Sequence, residues 1–376
     1  MTTPPSAGID AFAAGFLEEP GYLDFGRVGP LSAAVLAESN GQAELLSRAR
    51  FGSLDAFAQE DPRMRSAVSA VTGFPADQIV AQPNTGAGLM HAMFGLTGGA
   101  LLSAGEFPSL TLAATRAAEA LHVVTPLWLE TDHGRVTPGQ IREQVTANTA
   151  AVAVSLVDSR TGYLADIEGI RQVIGDRLLI VDAIQGFGVV DVPYEAADVV
   201  ASGGHKWTRA GWGTGFLALS ERAIERITPV FSGFAGTNAR EPFDEIVPPA
   251  HGARAFSVAN PDRMAQARFA AALEEIAIVG TAAIQSAISD RVDAVIDLAD
   301  EFAIPVVSSR DKSERAGIVV LEPADGRLTL LTASLFNHGV TTTTRGSTVR
   351  LSVHVSAGEE TLSMLRAAFT SFASAY

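Results

Sequence analysis

The most informative part of the sequence places reactive side chains directly after two short apolar runs. Asp182 ends the first run, and Gln185 follows it three residues later. The second run leads into a glycine-rich segment that carries Ser202, His205 and Lys206. Because ligands of open α/β sheets bind at the carboxyl ends of the strands, these five side chains are expected to share one site.

Lys206 is the candidate nucleophile of this site. The chain has only two lysines, and the other, Lys312, lies in a charged segment, DKSER, of the kind found in solvated loops. Burial lowers the pKa of a lysine, so that part of its amine is neutral and can form a Schiff base with a carbonyl compound. A lysine beside glycines is more often an exposed loop residue. The polar side chains at the same strand ends weigh against that interpretation.

The composition excludes several classes of function. The chain has 42 acidic and 27 basic residues among 376, a net charge of −15, and no cysteine. An acidic chain without a Lys/Arg-rich run is not expected to bind nucleic acid or an anionic membrane. The absence of cysteine excludes disulfides, Cys-ligated metals and a thiol nucleophile. The seven histidines show no metal-ligand spacing, so no metal site is expected.

Targeting signals are not recognisable in the sequence. No apolar run reaches the roughly 18 residues that a membrane span requires. The first fifteen residues contain no lysine or arginine, whereas a signal peptide begins with a basic region. We therefore expect a cytoplasmic protein.

The elements that must position these side chains alternate along the chain. Short apolar runs at 78–81, 100–103, 122–128, 150–157, 178–181, 199–201 and 215–218 alternate with helical patterns. This alternation predicts an α/β fold with a mostly parallel sheet covered on both faces. A long helical pattern over 261–302 follows, and then the mixed strand and helix pattern of a small α+β unit.

Here the sequence resembles a known family. The motif DAIQ, the motif SGGHKW with its lysine 24 residues after Asp182, and the run GTGFLALS resemble the class V aminotransferase group of pyridoxal-phosphate enzymes, fold type I. That group includes cysteine desulfurases, isopenicillin N epimerase-like proteins and C–S lyases. The resemblance implies a segment lining the substrate side (1–30), a large cofactor-binding domain (31–261) and a small C-terminal domain (262–376).

The resemblance also implies roles for the residues around the lysine. Lys206 would hold pyridoxal 5′-phosphate as a Schiff base and then move a proton at the substrate Cα. Asp182 would pair with the protonated pyridine nitrogen, which keeps the ring an electron sink. Gln185 would hydrogen-bond the ring hydroxyl, and Ser202 and His205 would contact the phosphate.

Other positions match the family less closely. Asn84 and Thr85 precede a predicted helix where the family binds the phosphate, although the pair also fits an ordinary helix cap. Phe107 falls where the family stacks a ring on the cofactor; desulfurases carry histidine there. Ser159 falls near the ring hydroxyl. Asn260 stands where relatives reach the phosphate of a neighbouring subunit.

Two further residues are assigned to the substrate. Arg350, in a strand reading TVRLS, resembles the family arginine that binds the substrate α-carboxylate. Tyr22 lies in the segment that resembles the substrate-side wall. The resemblance implies a small amino-acid substrate and a homodimer whose active site lies near the subunit interface.

The residues do not determine the reaction that follows loss of the Cα proton. The sequence favours an aminotransferase-type enzyme by family frequency, with a C–S β-lyase similar to hercynylcysteine sulfoxide lyase, or an epimerase, as alternatives. Kynureninase-like chemistry fits the HKW context less well, although RTG at 160–162 faintly resembles it. A non-enzymatic cofactor-binding protein is disfavoured, because no helix-turn-helix or basic region indicates a regulator. A cysteine desulfurase is expected to be excluded, because its mechanism uses a cysteine and the chain has none.

Overall fold

The larger of two sheets forms the framework of the molecule. The computed structural model describes residues 5–238 and 244–375. The larger sheet has seven strands: β1 (Ile79–Ala81), β2 (Gly98–Ser103), β3 (Val124–Leu129), β4 (Thr149–Ser155), β5 (Leu178–Asp182), β6 (Val199–Gly203) and β7 (Gly215–Leu219). They lie in the order β1-β7-β6-β5-β4-β2-β3. Each apolar run predicted as a strand overlaps one of them.

Only β7 runs against the direction of its neighbours. It pairs antiparallel with β1 and β6, whereas the remaining pairs are parallel. The chain reverses between β6 and β7 through Gly211 and Gly213, both with φ of 82°, a left-handed backbone that glycine adopts without strain. Lys206 therefore lies in the connection that leaves the carboxyl end of β6.

Helices cover both faces of this sheet. Residues along one strand alternate between two cores: Val152 and Val154 face one, Ala151 and Ala153 the other. The helices are α1 (Pro5–Ala14), α2 (Ala33–Ser47), α3 (Ser53–Phe57), α4 (Glu60–Thr72), α5 (Thr85–Gly95), α6 (Pro108–Leu121), α7 (Pro138–Gln144), α8 (Ile167–Val173) and α9 (Glu221–Arg226). The α/β class with a mostly parallel sheet is confirmed.

A small antiparallel sheet forms the C-terminal part. Its strands β8 (Ile318–Leu321), β9 (Thr343–Arg345) and β10 (Thr348–Ser352) lie in the order β8-β10-β9. The remaining helices are α10 (Arg263–Val279), α11 (Thr281–Glu301), α12 (Leu328–Asn337) and α13 (Glu359–Ser374). The first helix after the predicted domain boundary at 261/262, α10, packs against α2 and α4 of the preceding domain. The boundary itself stays a prediction.

The predicted continuous helix over 261–302 is wrong at Gly280. The N–H of Gly280 donates to the carbonyl of Ile276 at 2.8 Å, and its φ of 88° ends α10. The helices α10 and α11 meet there at a bend of 82°. In the part of the chain that the structure describes, no single helix is long and apolar enough to cross a membrane, and this bent pair meets those criteria only jointly.

The N-terminal segment runs across the join between the two sheets. Tyr22 forms a bridge with Thr341, and Asp24 with Ser352, so the segment lies along the small sheet. Further on, the N–H of Gly29 donates to the carbonyl of His205 at 2.8 Å. This segment therefore contacts the lysine connection and the C-terminal part at once.

Candidate active site

The predicted site residues converge at the carboxyl ends of β5 and β6. The two strands are adjacent, and Asp182 is in register with Ala201. Asp182 is the last residue of β5, and Ser202 lies one residue before the end of β6. The strand ends therefore bring Asp182, Ser202 and the lysine connection together, as the sequence predicts.

Lys206 is buried and lies beside an aromatic ring. Its side chain is 8% exposed, and its Nζ lies 5.3 Å from the centroid of the Phe107 ring. The pKa of Lys206 is lowered to about 8, mainly by burial; Asp182 opposes this shift, and the positive charges of Arg350 and Arg345 add to it. About a quarter of such amines are neutral at pH 7.5, which makes Lys206 a competent nucleophile.

Asp182 is a buried carboxylate with one oxygen free. It is 2% exposed; Oδ1 accepts the N–H of Ile184 at 3.2 Å, whereas Oδ2 has no partner. Burial raises the pKa of Asp182 to about 6, while the Ile184 hydrogen bond and Lys206 oppose the rise. A buried, unpartnered carboxylate oxygen is costly unless a donor reaches it. The pyridine N–H of the predicted cofactor is such a donor.

A second unpartnered group lies at the start of α5. Thr85 is buried and its Oγ1 has no partner. A Cβ on Gly203 would lie 3.3 Å from Thr85 Oγ1 and 3.2 Å from His205 Nδ1, so these two polar atoms converge on the glycine. Burial lowers the pKa of His205 to about 4, so its ring is neutral and can donate a hydrogen bond. A hydroxyl, an imidazole and a helix N-terminus suit a phosphate.

Asn84 and Ser202 use their side chains locally. Asn84 is the N-cap of α5, and its Oδ1 accepts the N–H of Ala87 at 2.9 Å. The hydroxyl of Ser202 is fully buried and lies 3.3 Å from the carbonyl of Gly203. The helix cap therefore uses Oδ1 of Asn84, so that a phosphate contact from this side chain would use Nδ2. The assignment of both residues stays a prediction.

Gln185 contacts the N-terminal segment. Its Nε2 donates to the carbonyl of Gly26 at 2.9 Å, and its Oε1 accepts the indole N–H of Trp207 at 2.9 Å. An amide has two N–H donors, so one remains for the cofactor hydroxyl. Gln185 therefore fixes Trp207, the residue after the lysine, and its contact with the cofactor hydroxyl stays a prediction.

Arg350 lies on the small sheet and faces the same space. It is 2% exposed; Nη2 lies 3.5 Å from Asp24 Oδ1 and 3.4 Å from Thr343 Oγ1, and Nη1 lies 3.3 Å from the carbonyl of Ser159. These contacts are long, and Nε has no partner. A buried guanidinium with spare donors suits a substrate carboxylate.

Two predicted residues are placed less centrally. The hydroxyl of Tyr22 donates to the carbonyl of Val28 at 2.6 Å, and its ring contacts Phe25 edge-on. Asn260 is exposed on the wall of a cavity of about 1090 Å³, which Gln82 and Pro83 also line. The same wall includes the loop before α5, where the phosphate is predicted to bind. The assignment of Asn260 to the phosphate of a neighbouring subunit stays a prediction.

Two buried charged residues in and around the site were not predicted from the sequence. Glu106 is buried next to Phe107, its Oε2 accepts the N–H of Ser155 at 3.0 Å, and burial raises its pKa to about 7. Arg209 is 1% exposed, donates to the carbonyl of Pro30 at 2.6 Å and forms an ion pair with Glu18. Both are distant in sequence from their partners, so no local pattern marks them.

The donor set fits pyridoxal 5′-phosphate. A partly neutral amine lies beside an aromatic ring and interacts with a carboxylate that has an unpartnered oxygen. An unpartnered hydroxyl and a neutral imidazole both lie next to Gly203, the last residue of β6. The family model for class V aminotransferases matches residues 55–375. The chain belongs to the class V aminotransferase family. Pyridoxal 5′-phosphate is therefore its cofactor.

Individual relatives cover the chain to different extents. A probable hercynylcysteine sulfoxide lyase of Mycobacterium tuberculosis is 28% identical over 274 residues, 70% of this chain and 64% of that protein. A probable cysteine desulfurase of Methanothermobacter thermautotrophicus is 35% identical over 104 residues, 27% of this chain and 26% of that protein. The chain thus spans less than two thirds of these curated relatives.

Solved structures share the fold over almost the whole chain. The cystine C–S lyase C-DES, in complex with cysteine persulfide, superposes with a TM-score of 0.85 at 19% identity, covering 95% of this chain and 98% of the other. A cysteine desulfurase of Thermococcus onnurineus gives 0.82 at 20% identity, covering 92% of both chains. This class V member therefore has the architecture of fold type I.

The exclusion of a cysteine desulfurase is wrong. Desulfurases are among the relatives in sequence and among the structural neighbours of this class V protein. The expectation rested on the absence of cysteine alone, which removes one side chain but leaves the lysine site intact. A desulfurase role is not excluded.

Proposed function

We propose that this class V protein removes the Cα proton of an amino acid and releases a sulfur-containing group from Cβ, as a C–S lyase does. The observation that carries the proposal is Lys206, a buried, partly neutral amine 5.3 Å from the centroid of the Phe107 ring and close enough to Asp182 for the two charges to interact. The relative named as a sulfoxide lyase, which matches 70% of the chain, supports a sulfur leaving group.

The residues at hand would hold the cofactor at four points. Lys206 would bind it covalently, Phe107 would lie on one face of its ring, and Asp182 would accept its pyridine N–H. Thr85 and His205 would contact its phosphate. When bound, pyridoxal 5′-phosphate supplies an electron sink that stabilises negative charge at the substrate Cα.

The remaining steps belong to side chains of the chain itself. Arg350 would bind the substrate α-carboxylate through its unpartnered Nε and spare Nη protons, which fixes the orientation of the Cα–H bond. The amine of Lys206, once released, would accept the Cα proton. The low exposure of Lys206, Asp182 and Arg350 limits water at the reacting carbon.

An aminotransferase-type reaction is the alternative, since the family model carries that description. The products separate the cases. Purified holoenzyme incubated with S-alkyl cysteines in the absence of a keto-acid acceptor should release pyruvate and ammonia. A requirement for an acceptor would instead establish transamination, and formation of alanine with sulfane sulfur from cysteine would establish desulfuration.

The covalent role of Lys206 has a sharp test because the chain offers one other lysine. Borohydride reduction of the holoenzyme should fix the cofactor on the peptide that contains Lys206. The Lys206→Ala variant should lose the visible absorbance of the lysine-bound cofactor, and Lys312→Ala should keep it. Cofactor found on Lys312 would overturn the proposal.

We also propose a homodimer. Trp212, Phe234 and Val258 are exposed apolar side chains close to the cavity that Asn260 lines, and Trp212 is 70% exposed. Apolar side chains clustered beside a site are typical of a subunit interface. Light scattering should give about twice the mass of one chain, and Trp212→Glu should weaken the dimer more than Phe336→Glu, a change of an exposed ring on α12.

A further inference from the structure

Arg345 lies next to Arg350 on one face of the small sheet. In the β9–β10 hairpin, Thr343 is opposite Arg350 and Thr348 is opposite Arg345. Residues two apart on a strand share a face, so both arginines project to the same side. They are diagonal neighbours, whose Cα atoms are about 7–8 Å apart in an antiparallel pair.

One residue contacts both guanidinium groups. The hydroxyl of Ser159 accepts a hydrogen bond from Arg345 Nη1 at 3.4 Å, and the carbonyl of Ser159 accepts one from Arg350 Nη1 at 3.3 Å. The guanidinium group of Arg345 therefore lies beside Ser159, as that of Arg350 does, although the Arg345 side chain is exposed. Its charge reaches the buried lysine, since it helps to lower the pKa of Lys206.

Arg345 differs from Arg350 and Arg160 in its ion pairs. Arg350 lies 3.5 Å from Asp24, and Arg160 forms an ion pair with Asp158 at 3.3 Å. Over residues 5–238 and 244–375, Arg345 forms no ion pair with a carboxylate. Two guanidinium groups and a lysine thus lie together with an excess of positive charge, which an anionic ligand would relieve.

We propose that Arg345 binds a second anionic group of the substrate, carried at the far end of its side chain. The inference rests on the proposed function in one respect, that Arg350 binds the α-carboxylate. The separation of the two arginines suits such a substrate. In an extended amino acid whose second carboxylate lies five bonds from the first, the two carboxylates are about 6 Å apart, at about 1.2 Å per bond. The substrate class is therefore a sulfur amino acid with a distal carboxylate or sulfonate.

Two compounds of matched shape test this specificity. S-Carboxymethyl-L-cysteine carries the distal carboxylate, and S-carbamoylmethyl-L-cysteine replaces it with a neutral amide of the same size. Stopped-flow titration of the cofactor absorbance, recorded before turnover, should give the wild-type holoenzyme a dissociation constant about tenfold lower for the carboxylate, about 1.4 kcal/mol. In Arg345→Gln the two constants should become equal through weaker carboxylate binding, while the carbamoyl compound keeps its wild-type value.

The controls separate charge from fold. Arg345→Lys should retain part of the preference, since it keeps the charge but not the planar fork. Arg310→Gln removes the same charge from an arginine paired with Asp300, away from the site, and should keep the full tenfold preference. Equal constants for the two compounds in the wild type, or a preference that survives in Arg345→Gln, would overturn the inference.

The binding ratio is independent of the reaction. If neither compound yields pyruvate, the proposed elimination fails, but the carboxylate preference and its loss in Arg345→Gln still decide the role of Arg345. If pyruvate forms from both compounds at equal affinity, the elimination holds and the second anion site is refuted.

Discussion

Asp182→Asn should affect the apo-protein and the holoenzyme in opposite directions. In the apo-protein the carboxylate is buried with Oδ2 unpartnered, so its charge destabilises the folded state. In the holoenzyme the same oxygen would, by the proposed role of Asp182, receive a cationic N–H, and asparagine could not balance that charge. The substitution changes one atom and little volume, so packing differences are small.

The size of the effect follows from the pKa of Asp182. Burial raises it from 3.8 to about 6, and at about 1.4 kcal/mol per pKa unit the ionised group costs about 3 kcal/mol at pH 7.5. An unpartnered asparagine amide costs about 1 kcal/mol in turn, which leaves a gain of about 2 kcal/mol. With an unfolding entropy of about 2.1 cal/mol/K per residue, the apo-variant should melt about 2–3 °C higher.

The sign of the pH dependence is fixed by the direction of the pKa. Because the folded carboxyl binds its proton more tightly than the unfolded one, the penalty is complete above pH 6 and disappears as the pH falls towards 4. The advantage of the apo-variant in melting temperature should therefore be present at pH 7.5 and vanish near pH 4. Cofactor-dependent turnover at pH 7.5 should fall by about 10²–10³-fold.

Asp198→Asn is the matched control. Asp198 is also a buried aspartate at a strand end, but it accepts hydrogen bonds from Arg171 at 2.9 Å and from the N–H of Leu179 at 2.8 Å, and forms an ion pair with Arg222. Its loss should destabilise the apo-protein and the holoenzyme alike, by about 3–5 kcal/mol. An apo Asp182→Asn protein that melts below the wild type at pH 7.5, or that shows no pH dependence, would refute the reasoning.

Two further predictions concern the surroundings of the lysine and the substrate arginine. A Cβ on Gly29 would lie 2.0 Å from the carbonyl oxygen of Lys206, so Gly29→Ala should displace the lysine connection. Fluorescence titration should then show cofactor binding weakened at least tenfold. Gly41→Ala, in open space on α2, should leave the cofactor affinity unchanged. Unchanged cofactor affinity in Gly29→Ala would contradict the close packing. Arg350→Lys should keep the cofactor absorbance and weaken amino-acid binding about 10–100-fold, because an ammonium cannot bind a carboxylate through two parallel hydrogen bonds as a guanidinium does. An amino-acid affinity within twofold of wild type would count against Arg350 as the carboxylate site.

The strands of the large sheet were predictable because their signal is local. Each is a short run apolar on both faces, as in 150–157 and 178–181, and burial between two helical layers requires that composition. The positions of Asp182 and Lys206 at strand ends follow from the same runs. Local patterns do not predict that α10 and α11 separate, since a single glycine inside a long apolar pattern is compatible with either outcome.

The site was only partly predictable for the same reason. The burial of Glu106 depends on its contact with Ser155, and the ion pair of Arg209 depends on Glu18, nearly two hundred residues away. Arg345 shows no motif; its importance arises when the hairpin register puts it diagonal to Arg350 and beside Ser159. Contacts of this kind are set by packing between elements.

The sequence by itself determined the fold class, the lysine and its family, because apolar periodicity and the DAIQ…SGGHKW spacing are properties of neighbouring residues. The absence of cysteine, although certain, did not determine the reaction, because a desulfurase shares the same fold and another is a relative in sequence. Only the tertiary structure decided which polar atoms are buried without a partner and which charges are left unbalanced. Those depend on which distant segments meet, and the roles proposed for Lys206, Asp182 and Arg345 rest on them.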